Sequence, residues 1–256
     1  MITRMQRLCL IVATCLWASL VRADTTQLVQ DQSAHTLPAG RLQLSLFQLT
    51  RYGLTDRIEL STQPLLFIMP RFDLKARFYS RGSFHIAARA SVAYPTWLMR
   101  TFVGEGALAL LPQGTRIPQA LMFEPSLLGT LDLAAGHEIS ATVGMTVAPR
   151  ASWRDVPQLD FPFLYARFAS LWTFATYHLH VAYHGRLAER WTLSAGMRDY
   201  LLPATSGGFS LEPWVALRLQ ASAHFGIEAG VVMEITRYPA GRQFHQLPYL
   251  DFFVLL

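Results

Sequence analysis

Residues 53–79 place apolar and polar side chains at alternate positions in two consecutive runs. In the first run Ile58, Leu60 and Thr62 alternate with charged or hydroxyl side chains, and residues 71–78 repeat the pattern after a proline. Successive side chains of a β-strand point to opposite faces, so a period of two predicts strands with one apolar and one charged face. The two runs therefore predict neighbouring antiparallel strands that separate two different media.

The same alternation recurs along the chain and predicts a single all-β domain. Because single-chain bacterial barrels contain even numbers of strands, we predict a closed antiparallel transmembrane β-barrel of about 12 strands, within a range of 10 to 14. Tyr52–Asp56 is predicted to be a turn, and Ala107–Leu111 is either a further short strand or a helical turn. The predicted strands are Arg41–Thr50, Ile58–Thr62, Arg71–Phe78, Phe84–Tyr94, Leu121–Leu131, Ile139–Val147, Phe163–Phe174, Tyr177–Arg186, Trp191–Met197, Leu211–Leu219, Phe225–Ile235 and Leu247–Leu256.

The first 23 residues have the organisation of a secretory signal peptide. Basic residues come first, an apolar core follows from Leu8 to Leu20, and small residues flank a cleavage site before Asp24. Both cysteines lie in this peptide, so the mature chain is predicted to hold neither a disulfide nor a thiolate metal site. We expect a signal peptide over residues 1–23, a polar N-terminal segment over 24–40 and one transmembrane barrel domain over 41–256. The polar segment is either a periplasmic tail or a segment across a barrel mouth.

Three features favour lipid outside the predicted barrel. A strand of about ten residues, rising roughly 3.3 Å per residue and tilted by about 45°, spans about 23 Å, which suits an outer-membrane barrel. Small residues recur on the polar face, where a confined lumen needs them. Aromatic side chains that favour membrane interfaces collect near predicted strand ends: Tyr52, Tyr79, Tyr94, Trp172, Trp191, Tyr200, Tyr238 and Tyr249. A soluble secreted β-sandwich is the third alternative, but its strands are usually shorter.

The residues from Tyr52 to Leu60, followed by the Asp73–Phe78 strand, resemble the early hairpins of a class of Gram-negative outer-membrane β-barrels. These barrels are transporters of the phenol-degradation meta-pathway type, and the resemblance covers Arg41 to Tyr79. The resemblance implies a barrel fold and a location in the bacterial outer membrane, reached by export through a cleaved signal peptide. Leu247–Leu256 alternates as the last strand of such barrels does, although it ends in leucine where phenylalanine is common. The class does not define the solute.

Charges of both signs occupy the predicted inner face in nearly equal numbers. Unpaired charges would be costly in a narrow lumen, so we expect a balanced network of ion pairs that either fills the lumen or lines a narrow pore. A strongly ion-selective pore would be more one-sided. We expect Arg57, Arg71, Lys75 and Arg77 to pair with Glu124, Glu212, Glu228 and Glu234. The full predicted set is Arg57, Glu59, Arg71, Asp73, Lys75, Arg77, Arg89, Glu124, Glu138, Arg167, Arg198, Glu212, Arg218, Glu228 and Glu234.

Three histidines lie on one face of a predicted strand. His178, His180 and His184 are separated by even numbers of residues, and the first two lie about 7 Å apart, near enough to share a metal ion or a proton. No acidic residue stands at a matched spacing beside them. We therefore favour a row of polar lumen side chains, and we predict no bound metal and no cofactor.

A catalytic site is not predicted. Outer-membrane lipid hydrolases use a serine and a histidine, and the nearest pairs here are Ser83 with His85, which share a strand face, and Ser140 with His137, which do not. Neither pair has an evident orienting partner.

The function expected from the sequence is therefore passage of small solutes through a narrow pore or transporter, or a structural envelope role with a sealed lumen. The alternative is a barrel-embedded lipid-modifying enzyme of the outer membrane. Expected partners are outer-membrane lipid, lipopolysaccharide and, during insertion, the barrel-assembly machinery. Removal of the signal peptide leaves 19 basic and 17 acidic residues. This near balance of charge gives no support for nucleic acid as a partner.

Overall fold

In a computed structural model the chain forms one closed antiparallel barrel of 12 strands. The structure describes residues 32–46, 48–63, 69–104, 110–133, 136–149, 153, 156–158, 163–203, 208–238 and 241–256. The predicted signal peptide therefore lies outside the described residues. The strands are β1 (Leu42–Ser45), β2 (Thr50–Thr55), β3 (Ile58–Thr62), β4 (Arg71–Arg81), β5 (Phe84–Ala93), β6 (Met122–Asp132), β7 (His137–Val147), β8 (Ala175–Ala188), β9 (Trp191–Leu202), β10 (Gly208–Gln220), β11 (Phe225–Tyr238) and β12 (Gly241–Leu255).

Each strand pairs with its sequence neighbours, and the sheet closes where β1 pairs with β12. In that closing ladder Gln43 lies opposite Leu255 and Leu44 lies opposite Val254. A closed sheet has no free edge, whereas a sandwich consists of two stacked sheets. The predicted barrel of about 12 strands is confirmed, and the sandwich alternative is wrong.

Two predicted elements are wrong, and their errors cancel in the strand count. The predicted strand Arg41–Thr50 ends at Ser45, and β2 begins at Thr50, so most of the predicted turn Tyr52–Asp56 is strand. The predicted strand Phe163–Phe174 instead contains two helical turns, α2 (Tyr165–Phe168) and α3 (Ser170–Thr173). Burial explains the second error, because consecutive residues from Tyr165 to Leu171 are buried or half-buried without a period of two.

The two ends of the barrel differ in the length of the connections between strands. Short turns at residues 56–57, 82–83, 133–136, 189–190 and 221–224 lie at one end, together with the start of β1 and the end of β12. We call this the turn end. The long connections 94–121 and 148–174 lie at the opposite end, which we call the loop end. The three helices of the described residues lie at the loop end, including α1 (Thr96–Thr101).

The two faces of the wall differ as the alternation predicted. In β4, Phe72 and Leu74 are 61% and 46% exposed on the outer face, whereas Asp73 and Lys75 are each 1% exposed on the inner face. Because this pattern repeats around the barrel, apolar side chains cover the outside and polar side chains fill the inside. Among the described residues no helix is long and apolar enough to cross a bilayer.

An apolar cluster packs at the loop end. It joins Met99 and Phe102, at and beyond α1, to Trp153, Phe168 and Leu171 of the 148–174 connection. Within the predicted segment Ala107–Leu111, only the last two residues are described, and Leu111 forms an isolated parallel bridge with Val103.

The aromatic residues predicted at the membrane interfaces divide between the two faces of the wall. Tyr52, Tyr79 and Trp191 are exposed outside, whereas Tyr200 is buried in the interior. The Tyr249 hydroxyl donates to Glu228 inside the barrel.

Candidate functional site

Residues 32–40, which we call the plug segment, lie inside the barrel at the turn end and are not part of its wall. The backbone N–H of Ala34 donates to Thr130 Oγ1 at 2.7 Å, and that of Leu37 donates to Glu59 Oε2 at 2.8 Å. On a further strand, Lys75 Nζ donates to the Ser33 carbonyl oxygen at 3.3 Å. The plug segment thus crosses the lumen and satisfies its backbone groups on inward side chains of β3, β4 and β6.

Gly53 allows the plug segment to lie directly against the wall. A Cβ atom at this position would stand 2.1 Å from the Pro38 carbonyl oxygen and 2.7 Å from that of Leu37. Both obstacles are backbone atoms, so no side-chain rotation could relieve the contact. The glycine is therefore required for this close approach.

Next to the plug segment, the buried carboxylate of Glu59 is shared by two cationic side chains. Arg51 binds Glu59 through Nε to Oε1 at 2.9 Å and through Nη2 to Oε2 at 2.6 Å. Lys75 Nζ lies 3.2 Å from Glu59 Oε1, and all three side chains are 1% exposed. Sequence reasoning missed Arg51 because it treated β2 as the end of a strand and a turn. The Arg51-Tyr52-Gly53 alternation was the signal that could have found it.

Further ion pairs follow the inner wall. Toward the loop end Arg71 contacts Asp73 at 2.9 Å and Glu124 at 3.3 Å, and Arg89 lies 3.6 Å from Glu124. Further arginine–carboxylate pairs are Arg167 with Glu212 through two contacts of 2.7 Å, Arg198 with Glu212 at 3.8 Å, and Arg218 with Glu228 at 2.6 Å.

The charged side chains of the lumen therefore form ion pairs, but most of these pairs join other partners than those predicted. Of the expected cross-barrel pairs the structure forms Arg71 with Glu124, whereas Lys75 pairs with Glu59 on the adjacent strand. Arg57 lies exposed in the β2–β3 turn and not on the inner face, and Arg77 donates to the Asp56 carbonyl.

Two further predicted lumen groups lie in unexpected surroundings. Glu234 accepts from the Phe163 backbone N–H and from Ser210 Oγ. Arg167 reaches the lumen from α2, not from a strand, and its guanidinium lies 5.5 Å from the centre of the Tyr200 ring. Long connections therefore supply interior groups, which strand alternation alone does not predict.

The members of the histidine row lie on one inner strand face but have different surroundings. The rings of His178 and His180 are 5.4 Å apart, and His178 Nε2 is 4.0 Å from Glu124 Oε1. His184 contacts Ser194 Oγ through Nδ1 at 2.8 Å. Among the described residues, neither nitrogen of His180 has a hydrogen-bond partner.

A second polar cluster, absent from the sequence predictions, lies at the turn end. His35 Nε2 and His85 Nε2 contact the two oxygens of the Asp132 carboxylate, at 2.8 Å and 2.9 Å. Glu138 Oε2 is 3.7 Å from His35 Nε2, and Ser80 Oγ is 2.7 Å from His85 Nδ1. Burial lowers the pKa of His35, although Asp132 opposes this shift. We call His35, His85, Asp132 and Glu138 the turn-end cluster.

The serines considered for catalysis do not meet the histidines paired with them. His85 bonds to Ser80, not to Ser83, while His137 bonds to the Tyr183 hydroxyl. Ser140 Oγ lies 3.1 Å from Thr130 Oγ1 in the interior. Ser80, His85 and Asp132 instead form a hydroxyl, imidazole and carboxylate array, which sequence spacing did not reveal because Asp132 comes from another strand.

No known protein family matches this sequence, and no curated protein matches it. Its fold is similar to the COG4313 outer membrane channel from Pseudomonas putida F1, with 13% identity, a TM-score of 0.49, and coverage of 89% of this chain and 98% of that one. It is also similar to OmpTdeltaL8, a loop L8 deletion mutant of the outer membrane protein OmpT of Vibrio cholerae. That alignment has 12% identity and a TM-score of 0.45, and it covers 84% of this chain but only 62% of the other.

Acinetobacter baumannii OccAB4 gives 13% identity and a TM-score of 0.43, with coverage of 84% of this chain and 52% of that one. This chain thus spans less than two thirds of the length of OmpTdeltaL8 and of OccAB4. The strand pairing described above, and not these likenesses, establishes the barrel.

Proposed function

We propose that this protein is an outer-membrane channel for small solutes, held closed at the turn end by its plug segment. The observation that carries the proposal is that residues 32–40 lie within a polar lumen and, within the described part of the chain, are joined covalently to the wall at Arg41, where the chain continues into β1. Their other attachments are hydrogen bonds and packing, such as those to Thr130 and Glu59. A segment of this kind can leave the lumen without unpairing any strand.

The surface of the barrel supports the proposed outer-membrane location. Outward side chains such as Phe72, Val143 and Leu179 are about half exposed, and together they form an apolar surface along the strands. Monomeric soluble proteins rarely expose large contiguous apolar patches. Lipid and lipopolysaccharide are thus the partners proposed for the outer face, and the barrel-assembly machinery is the partner proposed for insertion. The short turns would then face the periplasm and the long connections the cell exterior.

Substitution of Gly53 tests the channel. Gly53→Ala places a methyl group against the backbone of Pro38 and Leu37, so we expect the plug segment to be displaced. In planar bilayers this variant should show larger and more frequent current steps than the wild type. Trypsin cleavage after Arg41, followed by mass spectrometry, reports the displacement independently.

The matched control is Gly129→Ala, because a Cβ atom at Gly129 would meet only the Phe84 ring, at 4.0 Å. This variant should behave as the wild type in both measurements. If Gly53→Ala becomes sensitive to trypsin but stays electrically silent, the lumen is sealed by other groups. The sealed-lumen structural role would then replace the channel.

A second candidate function, hydrolysis of lipid esters, is supported by the Ser80, His85 and Asp132 array. A histidine between a hydroxyl and a carboxylate is the arrangement that activates serine nucleophiles. If this function holds, the folded protein should release fatty acid from phospholipid vesicles, and Ser80→Ala should abolish that release, while Ser83→Ala should not. Equal release by wild type and Ser80→Ala would exclude this serine.

A further inference from the structure

We propose that the turn-end cluster binds a divalent transition-metal ion, with Zn²⁺ as the best match, and that the bound metal fastens the plug segment to the barrel wall. The ligands would be His35 from the plug segment, His85 from β5, Asp132 from β6 and Glu138 from β7. This site is distinct from the Arg51, Glu59 and Lys75 group, and its ability to bind a metal does not depend on conduction.

The ligand atoms are already close together. Those of His35, His85 and Asp132 all lie within 4.8 Å of one another. In a tetrahedral zinc site with Zn–N distances near 2.0 Å, neighbouring ligand atoms are about 3.3 Å apart. Small side-chain rotations therefore suffice to close the set around an ion.

Glu138 supplies the fourth ligand. Its Oε2 atom lies 3.7 Å from His35 Nε2, and its Oε1 atom is buried without a hydrogen-bond partner among the described residues. A buried carboxylate oxygen without a partner is costly, and a metal ion would satisfy it. Two carboxylates also balance the two positive charges of the ion.

The chemistry of the set favours zinc over calcium or magnesium. Imidazole nitrogen suits zinc, copper and nickel, whereas Ca²⁺ and Mg²⁺ prefer sets made only of oxygen. When His85 Nε2 binds the metal, its Nδ1–H can donate to Ser80 Oγ at 2.7 Å. A hydrogen bond of this kind fixes the orientation of a metal-binding histidine.

The position of His35 gives the metal its consequence. The other three ligands belong to the wall, so an ion held by all four would join the plug segment to β5, β6 and β7. Because the metal binds the docked segment better than the released one, binding must stabilise docking by mass action. The side-chain exposures of Asp132, 38%, and His35, 18%, leave a route for the ion from the turn end.

The proposal is tested by calorimetric titration of the folded full-length protein in detergent with zinc chloride alone. We expect one zinc ion per chain, and His35→Ala should weaken binding by at least about tenfold, the cost of losing even an outer-shell partner. His35 belongs to the plug segment and not to a strand of the wall. Heat-modifiable migration should therefore show that this variant still forms the barrel. The matched control His224→Ala removes another turn-end histidine, whose Nδ1 contacts the Leu255 carbonyl, and should retain wild-type affinity.

The link to the plug segment has its own measurement. Zinc should slow trypsin cleavage after Arg41 in the wild type and in His224→Ala, but not in His35→Ala. No saturable binding below millimolar zinc, or equal affinity in wild type and His35→Ala, would overturn the proposal. Neither readout measures current, so a silent channel and an absent metal site give different results.

Discussion

Glu59 is the residue at which three parts of the molecule meet. Its carboxylate binds Arg51 of β2 and Lys75 of β4, and it accepts the backbone N–H of Leu37 from the plug segment. Alternation correctly placed Glu59 and Lys75 on the inner face, because the backbone alone fixes which face a side chain takes. It did not identify their mutual pairing, because partners on neighbouring strands depend on register, and register depends on where each turn begins.

Neutralising Glu59 should destabilise the barrel and release the plug segment. Glu59→Gln leaves two buried cations without their carboxylate, and breaking a buried ion pair costs roughly 3–5 kcal/mol. We expect a loss of this size in urea unfolding in lipid vesicles, followed by tryptophan fluorescence. Glu189→Gln, in the exposed β8–β9 turn, should change the unfolding free energy by less than about 0.5 kcal/mol. Equal stability of the two variants would show that the buried group contributes nothing.

Alternation predicts the strands of the wall better than the segments that are not part of it. The sequence predicts the polar segment 24–40 as a tail or across a barrel mouth, and the structure places residues 32–40 inside the barrel at the turn end. Their attachment uses backbone N–H groups, which no residue pattern displays. The apolar sequence of residues 163–174 predicts a strand, but apolarity without a period of two suits any buried segment. Arg167 of this segment lies on a helix and not on a strand of the wall, yet it pairs with Glu212.

The turn-end cluster cannot be predicted from sequence spacing. His35, His85, Asp132 and Glu138 come from four elements and are separated by as many as 103 positions between His35 and Glu138. The histidine row was visible because its members share a single strand. A cluster assembled across strands becomes visible only once the barrel is closed and the N-terminal segment is placed inside it.

Closure and alternation together determine which medium each face of the barrel meets. A sheet closed on itself has one inside and one outside, so alternate residues of the strands face the same environment except where the register shifts. The inside is polar and contains ion pairs, and the outside is apolar. The strands from β4 onward are 10 to 15 residues long. Lipid is the medium that stabilises such an outside.

A charge placed at two depths on one strand tests that assignment. Leu127 lies at the middle of β6 and Leu131 next to its turn end, and both are exposed on the outer face, at 47% and 42%. In a bilayer Leu127→Arg should destabilise the folded barrel by roughly 2–4 kcal/mol, whereas Leu131→Arg should cost about 0–1 kcal/mol. Urea unfolding in phosphatidylcholine vesicles measures both. Because the strand, the face and the substitution are the same, only depth differs, and equal small losses would mean that water, not lipid, surrounds the barrel.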